Sequence, residues 1–269
     1  MEAELDLLRR LARERRIVPF IGAGFSLHLG LPSWSALIQY IAESMDYDPR
    51  IFELEGNALQ LAEYYMLERG RIGELRSRLD NWFNSPTIDV SKSDQHMLLV
   101  ALNASVIYTT NYDNLIERAF EAKGVPHKKI VTIADIGEAA PDETQVVKFH
   151  GDLSLDDSLV LAESHYFDRL AFESPLDVKL RSDMLGKSLV FMGYGFQDIN
   201  MRYMWYRLTK MWKQGRGYTD DRQPPAFYLG PGVGPVQKRI LRSWKILCIE
   251  LDPADPGAHL VTILRDLTS

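Results

Sequence analysis

Short apolar runs that stop abruptly at glycine or small polar residues constrain this chain more than any other feature. Ile17 to Ile21, Val106 to Tyr108, Ile130 to Ile133, Val146 to Phe149, Leu189 to Met192, Ala226 to Leu229 and Ile246 to Ile249 are each too short for a helix. From residue 104 onward the stretches between them, 113–123, 163–186, 198–213, 234–243 and 256–267, have helical period or composition. Strands that are apolar on both faces and alternate with helices predict a parallel sheet covered by helices. Residues 2–16 carry Leu5, Leu7, Leu8, Leu11 and Ala12 at three- and four-residue spacing, the pattern of an amphipathic helix. Residues 34–102 hold no strand-like run and predict several helices, with Ser33 and Ser93 as caps. The expected architecture is α/β. One domain over residues 1–269 has a Rossmann-like parallel sheet, helices on both faces, and a helical insertion subdomain at about 34–102.

Composition narrows the function classes. With 46 % apolar and 25 % charged residues the chain reads as globular, and 269 residues can bury roughly 70–75 % of the unfolded surface. No run of 18 apolar residues predicts a membrane span, and the charged N-terminus does not read as a signal peptide. A single cysteine, Cys248, excludes an intrachain disulfide and a zinc site built from several cysteines. Together these predict a cytoplasmic protein. The net charge of −6, from 31 basic and 37 acidic residues, gives no global field for nucleic acid, so no direct nucleic-acid binding is expected. Basic residues cluster at Arg9, Arg10, Arg13, Arg15 and Arg16 and at Arg69, Arg71, Arg76 and Arg78. A solvated helix face or subunit contact is the simpler reading of both clusters, with phosphate binding as the other.

In open parallel sheets, ligands bind outside the carboxyl ends of the strands. Four runs discharge there into residues suited to a site. They are Gly22-Ala23-Gly24-Phe25-Ser26, Thr109-Thr110-Asn111-Tyr112-Asp113, His150-Gly151-Asp152 and Gly193-Tyr194-Gly195-Phe196-Gln197-Asp198. Gly22 and Gly24 would let backbone amides approach a pyrophosphate with a helix dipole behind them, although a tight turn explains them equally. Leu27 stands where a full Gly-x-Gly-x-x-Gly needs glycine, and no acidic residue follows at the ribose position, which argues against hydride transfer. Asp113 ahead of Leu115 and Ile116 is a credible helix cap, so capping competes with a role for Asn111 and Asp113 in a site. His150 can take a proton near neutral pH, or can be structural. The other histidines show no metal-ligand spacing, and no metal site is expected. Gly-x-Ser-x-Gly, the phosphate-binding Gly-x4-Gly-Lys-Ser/Thr loop and His-Glu-x-x-His are all absent. Leu31-Pro32-Ser33-Trp34 reads as a helix start over a packed tryptophan, and Met201, Met204, Trp205, Leu208 and Met211–Trp212 as a buried helix face.

Four segments together, VPFIGAGFS…LPSW (18–34), YTTNYDNLIERAF (108–120), VVKFHGDL (146–153) and LVFMGYGFQD (189–198), resemble the sirtuin superfamily. More specifically they resemble the bacterial sirtuin-like domains that hydrolyse NAD in antiphage defence. The resemblance implies NAD as substrate and cleavage of its nicotinamide–ribose bond to nicotinamide and ADP-ribose. It implies Asn111, Asp113 and His150 as catalytic residues: Asn111 positioning water or ribose hydroxyls, Asp113 bonding the carboxamide, His150 as base. It implies Gly22, Ala23, Gly24, Ser26 and Thr110 around the nucleotide, with Gly193 and Asp198 toward the adenosine side. Protein-deacylating sirtuins carry a zinc module of two cysteine pairs and Gln before the Asn; here there is one cysteine, and Thr110 precedes Asn111. An NAD-dependent lysine deacylase and a non-catalytic NAD or ADP-ribose sensor are therefore the alternatives. A homo-oligomer and an activating defence partner, such as an ATPase, argonaute or sensor chain, are further expectations of the resemblance.

Overall fold

A computed structural model describes residues 2–32, 34–70, 72–194, 199–214, 219 and 223–269. The proposed cap Ser33, basic Arg71 and adenosine-side Asp198 lie outside the described residues, as do the side chains of Trp34 and Met201.

Among the described residues seven strands form one sheet: β1 (Ile17–Ile21), β2 (Val106–Thr109), β3 (His127–Ile130), β4 (Thr144–Lys148), β5 (Ser188–Met192), β6 (Ala226–Gly230) and β7 (Ile246–Glu250). Every pairing is parallel, in the order β3-β4-β2-β1-β5-β6-β7. The chain starts in the middle of the sheet, builds one half, then crosses β1 to build the other. The order reverses between β1 and β5, where a crevice opens beyond the carboxyl ends. The four strands with unusual endings, β4, β2, β1 and β5, are neighbours at the centre of the sheet.

Pleating sends alternate residues of β1 into two separate cores. Ile17 and Ile21 pack with the helices Glu2–Arg13, Asp94–Ala101, Leu115–Lys123 and Pro256–Leu267. Val18 and Phe20 face the other side, with helices Pro175–Asp183, Ile199–Gln214 and Pro235–Ser243. The predicted face of Met204, Trp205 and Leu208 is buried there, and Trp205 donates its indole N–H to the Trp244 carbonyl at 2.8 Å. Between β1 and β2 lie helices Trp34–Ser44, Pro49–Glu55, Ala58–Arg69, Gly73–Phe83 and Asp94–Ala101. All but Asp94–Ala101 contribute to a third core around Leu37, Ile41, Phe52, Tyr65, Leu75 and Leu79. That core also takes in Leu153, Leu159 and Leu161 from the chain after β4. Ser93 caps as expected, accepting the His96 amide at 3.4 Å.

Two expected boundaries move. The strand expected at Ile130 to Ile133 lies at His127–Ile130, because this edge strand is only half-buried and does not require a continuous apolar run. Residues beyond it are held by the Asp135 carboxylate, which accepts the amides of Val131 and Thr132 at 2.9 and 2.7 Å and starts a helix at Ile133. The helical stretch expected over 163–186 is broken into Glu163–Arg169 and Pro175–Asp183. Phe172 takes φ +56° and Ser174–Pro175 begins the second helix with a capping box. Among the described residues no helix is long and apolar enough to cross a membrane.

Phe20 sits where the central strands meet, fully buried against the rings of Tyr108, Phe149, Phe191 and Tyr194 at centroid distances of 5.6–5.8 Å. Phe20→Ala is expected to lower unfolding free energy by about 3–5 kcal/mol, measured by chemical denaturation. A loss below about 1 kcal/mol would show that this aromatic cluster does not hold the sheet centre together.

Candidate functional site

The carboxyl ends of β1, β2, β4 and β5 surround a cavity of about 520 Å³, within the range of about 300–1,000 Å³ typical of small-molecule sites. Ala23, Gly24, Thr110, Asn111, Asp113, His150 and Gly193 line it, together with Tyr112, Tyr166 and Tyr194. The insertion closes one side with Leu37 and Phe83. Its attachment to the rim is specific: Asn84 Oδ1 accepts the Asn114 amide at 2.8 Å, and Arg76 donates to the Leu153 carbonyl at 2.9 Å.

Two backbone turns set the floor. The Gly24 amide donates to the Gly193 carbonyl at 2.9 Å, and the Gly22 amide to the Met192 carbonyl at 2.9 Å. A Cβ on Gly22 or Gly24 would lie 2.7 or 2.8 Å from the Gly193 oxygen. One on Gly193, at φ +73°, would lie 2.3 Å from the Phe25 nitrogen. These glycines are thus required by the close approach of the β1 and β5 turns, before any ligand is considered. Beyond Gly22 the chain makes two short 3₁₀ turns, Ala23–Phe25 and Leu27–Leu29, in place of the helix dipole that the pyrophosphate reading of Gly22 and Gly24 puts behind them. The amides of Phe25 and Ser26 are spent on the carbonyls of Gly22 and Ala23.

Ser26 faces away from the cavity lining. It is fully buried, and its hydroxyl lies 3.4 Å from Nε2 of His96, whose Nδ1 is 2.8 Å from the Ser93 hydroxyl. The Gly22 carbonyl meets the cavity through Asn111, whose Nδ2 donates to it at 3.4 Å. Thr109 braces the same turn: its hydroxyl donates to the Ile21 carbonyl at 3.1 Å and accepts the Asn111 amide at 3.0 Å. With the amide group so oriented, Asn111 Oδ1 is buried and has no hydrogen-bond partner. Thr110 pairs with the Tyr194 hydroxyl at 2.7 Å, bridging the β2 and β5 loops.

Asp113 caps as well as lines the cavity. Its carboxylate accepts the Leu115 amide at 3.1 Å, and burial pushes its pKa up against the opposing pull of Lys148. His150 stacks beside Phe149 and meets the Tyr166 ring edge-on at 5.3 Å. Burial, with the Arg169 guanidinium nearby, holds its pKa down to about 3, so it is neutral at physiological pH. Arg169 is fixed by the Phe149 carbonyl and the buried Asp177 carboxylate, both at 2.7 Å. Sequence reasoning overlooked Tyr166, which carries no motif, and gave no role to Tyr112, Tyr194 and Lys148 within the segments it singled out. The last had a visible signal: a lysine inside the otherwise apolar run Val146 to Phe149. Among the described residues no group of three or more His, Cys, Asp or Glu side chains could hold a metal ion.

Comparison with known proteins gives a match of residues 105–249 to the SIR2-like domain family. Among curated relatives, a protein named NAD(+) hydrolase ThsA from Acinetobacter baumannii is 27 % identical over 213 residues, 79 % of this chain and 43 % of its own length. Its namesake from Bacillus cereus is 29 % identical over 230 residues, 81 % of this chain and 46 % of its own length. The Defense-associated sirtuin 2 of Bacillus subtilis is 26 % identical over 202 residues, 73 % of this chain and 20 % of its own length. The chain therefore spans less than half the length of these relatives.

Two outcomes follow from the geometry. Gly193→Ala should destabilise the protein by about 2 kcal/mol or more, read as a lower thermal midpoint, because it combines a left-handed φ with a backbone clash. Acid should act through His96 and His150, both held near 3 by burial against an ordinary value of 6.5. Their contribution to stability is complete above pH 6.5 and is lost as pH falls toward 3, at up to about 1.4 kcal/mol per unit for each group. The midpoint should therefore fall between pH 7 and pH 5, and His96→Gln should flatten that slope; a midpoint rising on acidification would contradict the assignment.

Proposed function

Because the chain belongs to the SIR2-like domain family, we propose that its cleft cleaves the nicotinamide–ribose bond of NAD, releasing nicotinamide and ADP-ribose, in the service of antiphage defence. The observation that carries this reading is the convergence of Asn111, Asp113 and His150 on one cleft at the carboxyl ends of the strands, with Asn111 Oδ1 buried and unpaired. A buried polar atom left unpaired costs about 1–3 kcal/mol, which a ribose hydroxyl or the attacking water would recover by donating to it.

Cleavage proceeds through an oxocarbenium-like ribose, as in glycoside hydrolysis. The scissile bond breaks with its electron pair going to the nicotinamide nitrogen, which discharges the pyridinium. Water adds to the ribose carbon, and its proton leaves through a base. None of the described cleft-lining residues is Arg or Lys, so no lining cation opposes the positive ring or the developing ribose cation. Asn111 orients the water or the ribose hydroxyls, and Asp113 accepts from the carboxamide. His150, kept neutral by burial, is assigned as the group that accepts the proton. Ala23 supplies the turn amide for the diphosphate, while Gly22, Gly24 and Ser26 shape that turn. Thr110 and Gly193 complete the nucleotide's surroundings, with Asp198 assigned to the adenosine side. In this reading NAD is the substrate and no residue is assigned to a metal. The name Defense-associated sirtuin 2 of one relative supports the defence role; a homo-oligomer switched on in the cytoplasm by an activating partner chain, of ATPase, argonaute or sensor type, is part of the same proposal.

The test is product analysis of NAD incubated with the purified protein, with and without an acylated peptide. Nicotinamide and ADP-ribose should appear from NAD alone. Release only with the peptide would replace this reading by lysine deacylation, and binding without release by an NAD sensor. Asn111→Ala and His150→Ala should each lower the rate by about 10²-fold or more at an unchanged fold. Parental rates in both would overturn the roles given.

A further inference from the structure

β4 ends on a lysine that no solvent reaches. Lys148 is completely buried, and so are the strand residues Val146 and Val147 before it. Burying an ammonium forfeits its hydration, and at such a position an apolar side chain would pack at less cost. Its retention therefore calls for a compensating arrangement, and the surroundings of Nζ supply one. The ammonium donates to the backbone carbonyl of Asp113. It lies 3.5 Å from Glu117 Oε1 and 4.0 Å from Asp152 Oδ2. Both carboxylates are buried, and neither Glu117 oxygen has a hydrogen-bond partner. Asp152 is also held by Lys129 at 3.0 Å and by the amide and hydroxyl of Ser154.

These partners come from three pieces of chain: the turn after β2, the helix Leu115–Lys123 that follows it, and the loop after β4. Asp113 is two residues from Asn111, and Lys148 is two residues from His150. We propose that Lys148 is a positioning residue: its buried ammonium ties the Asn111–Asp113 turn to the strand end carrying His150, and so sets the spacing of the two groups that face the cleft. The catalytic consequence rests on the NAD-cleavage reading; the structural consequence does not.

A simpler role would be to neutralise Glu117. The two roles separate in a double variant, Glu117→Gln with Lys148→Met, which removes both charges at nearly constant volume. If neutralisation were the whole role, this protein would match the parent. If Lys148 positions the turn through the Asp113 carbonyl, the double variant folds but loses that tie. The expected results are amide hydrogen exchange at least tenfold faster in residues 108–116, and kcat for nicotinamide release at least tenfold lower with KM within threefold. Glu117→Gln alone should stay within threefold of the parent in both measurements. Parental exchange and parental kcat in a folded double variant would overturn the proposal. Absence of nicotinamide release from the parent would sink the NAD-cleavage reading instead, and the exchange data would still decide this one. If the double variant does not fold, nuclear magnetic resonance of the parent decides: a protected Lys148 ammonium coupled to the Asp113 carbonyl carbon is expected, and a freely exchanging ammonium overturns it.

Discussion

The contact between two backbone turns, at the ends of β1 and β5, is the constraint on which the rest of this structure depends. Strand β1 is paired along its whole length with β5, from Ile17 with Ser188 to Ile21 with Met192, and the pairing continues past the last strand residues. The Gly22 and Gly24 amides carry it onto the carbonyls of Met192 and Gly193. No side chain fits in that gap, so the strand ends stay close while the chains leaving them diverge to opposite halves of the sheet. The cleft exists because of this divergence. Asn111 reaches it by donating to the carbonyl of Gly22, and Tyr194 closes over it by bonding Thr110.

Apart from the Asp113 carboxylate, the described residues that line the cleft are uncharged. His150 and His96 are both kept uncharged by desolvation, one facing the cavity and one bracing the glycine turn from behind. Arginines and lysines near the rim are tied to protein carbonyls and carboxylates: Arg169 to Phe149 and Asp177, Lys148 to Asp113 and Glu117, Arg76 to Leu153 and Asp156. Their charge organises the loops while leaving the cavity wall free of cations among the described residues. A substrate whose reacting ring is itself positive suits such a wall.

The insertion contributes shape. Its helices pack a core that also takes in Leu153, Leu159 and Leu161, so the loop after His150 is anchored to the insertion as much as to the sheet. Leu37 and Phe83 then form an apolar side of the cleft, opposite the polar ends of the strands. Most of this lay beyond the reach of the sequence pattern. Helical period shows that a residue faces some core, but Phe83 and Leu37 are apolar like their neighbours, and nothing in their spacing separates a cleft wall from a packed interior.

What the sequence determined by itself was the sheet, its helical cover and the edge at which a site would form. Those depend on local signals: apolar runs too short for helices, and small or polar residues at the points where the runs stop. The placement of β3 escaped it because an edge strand buries only part of its side chains, so His127–Ile130 lacks the apolar signature of the central strands. Only the tertiary structure decided which way each rim residue points. Ser26 and Asn111 look equally suited to a ligand in the sequence; long-range contacts turn the first inward onto His96 and leave the second lining the cavity, with its side-chain oxygen buried and unpaired. Such choices depend on partners some 70 to 90 residues away along the chain, and no local pattern encodes them.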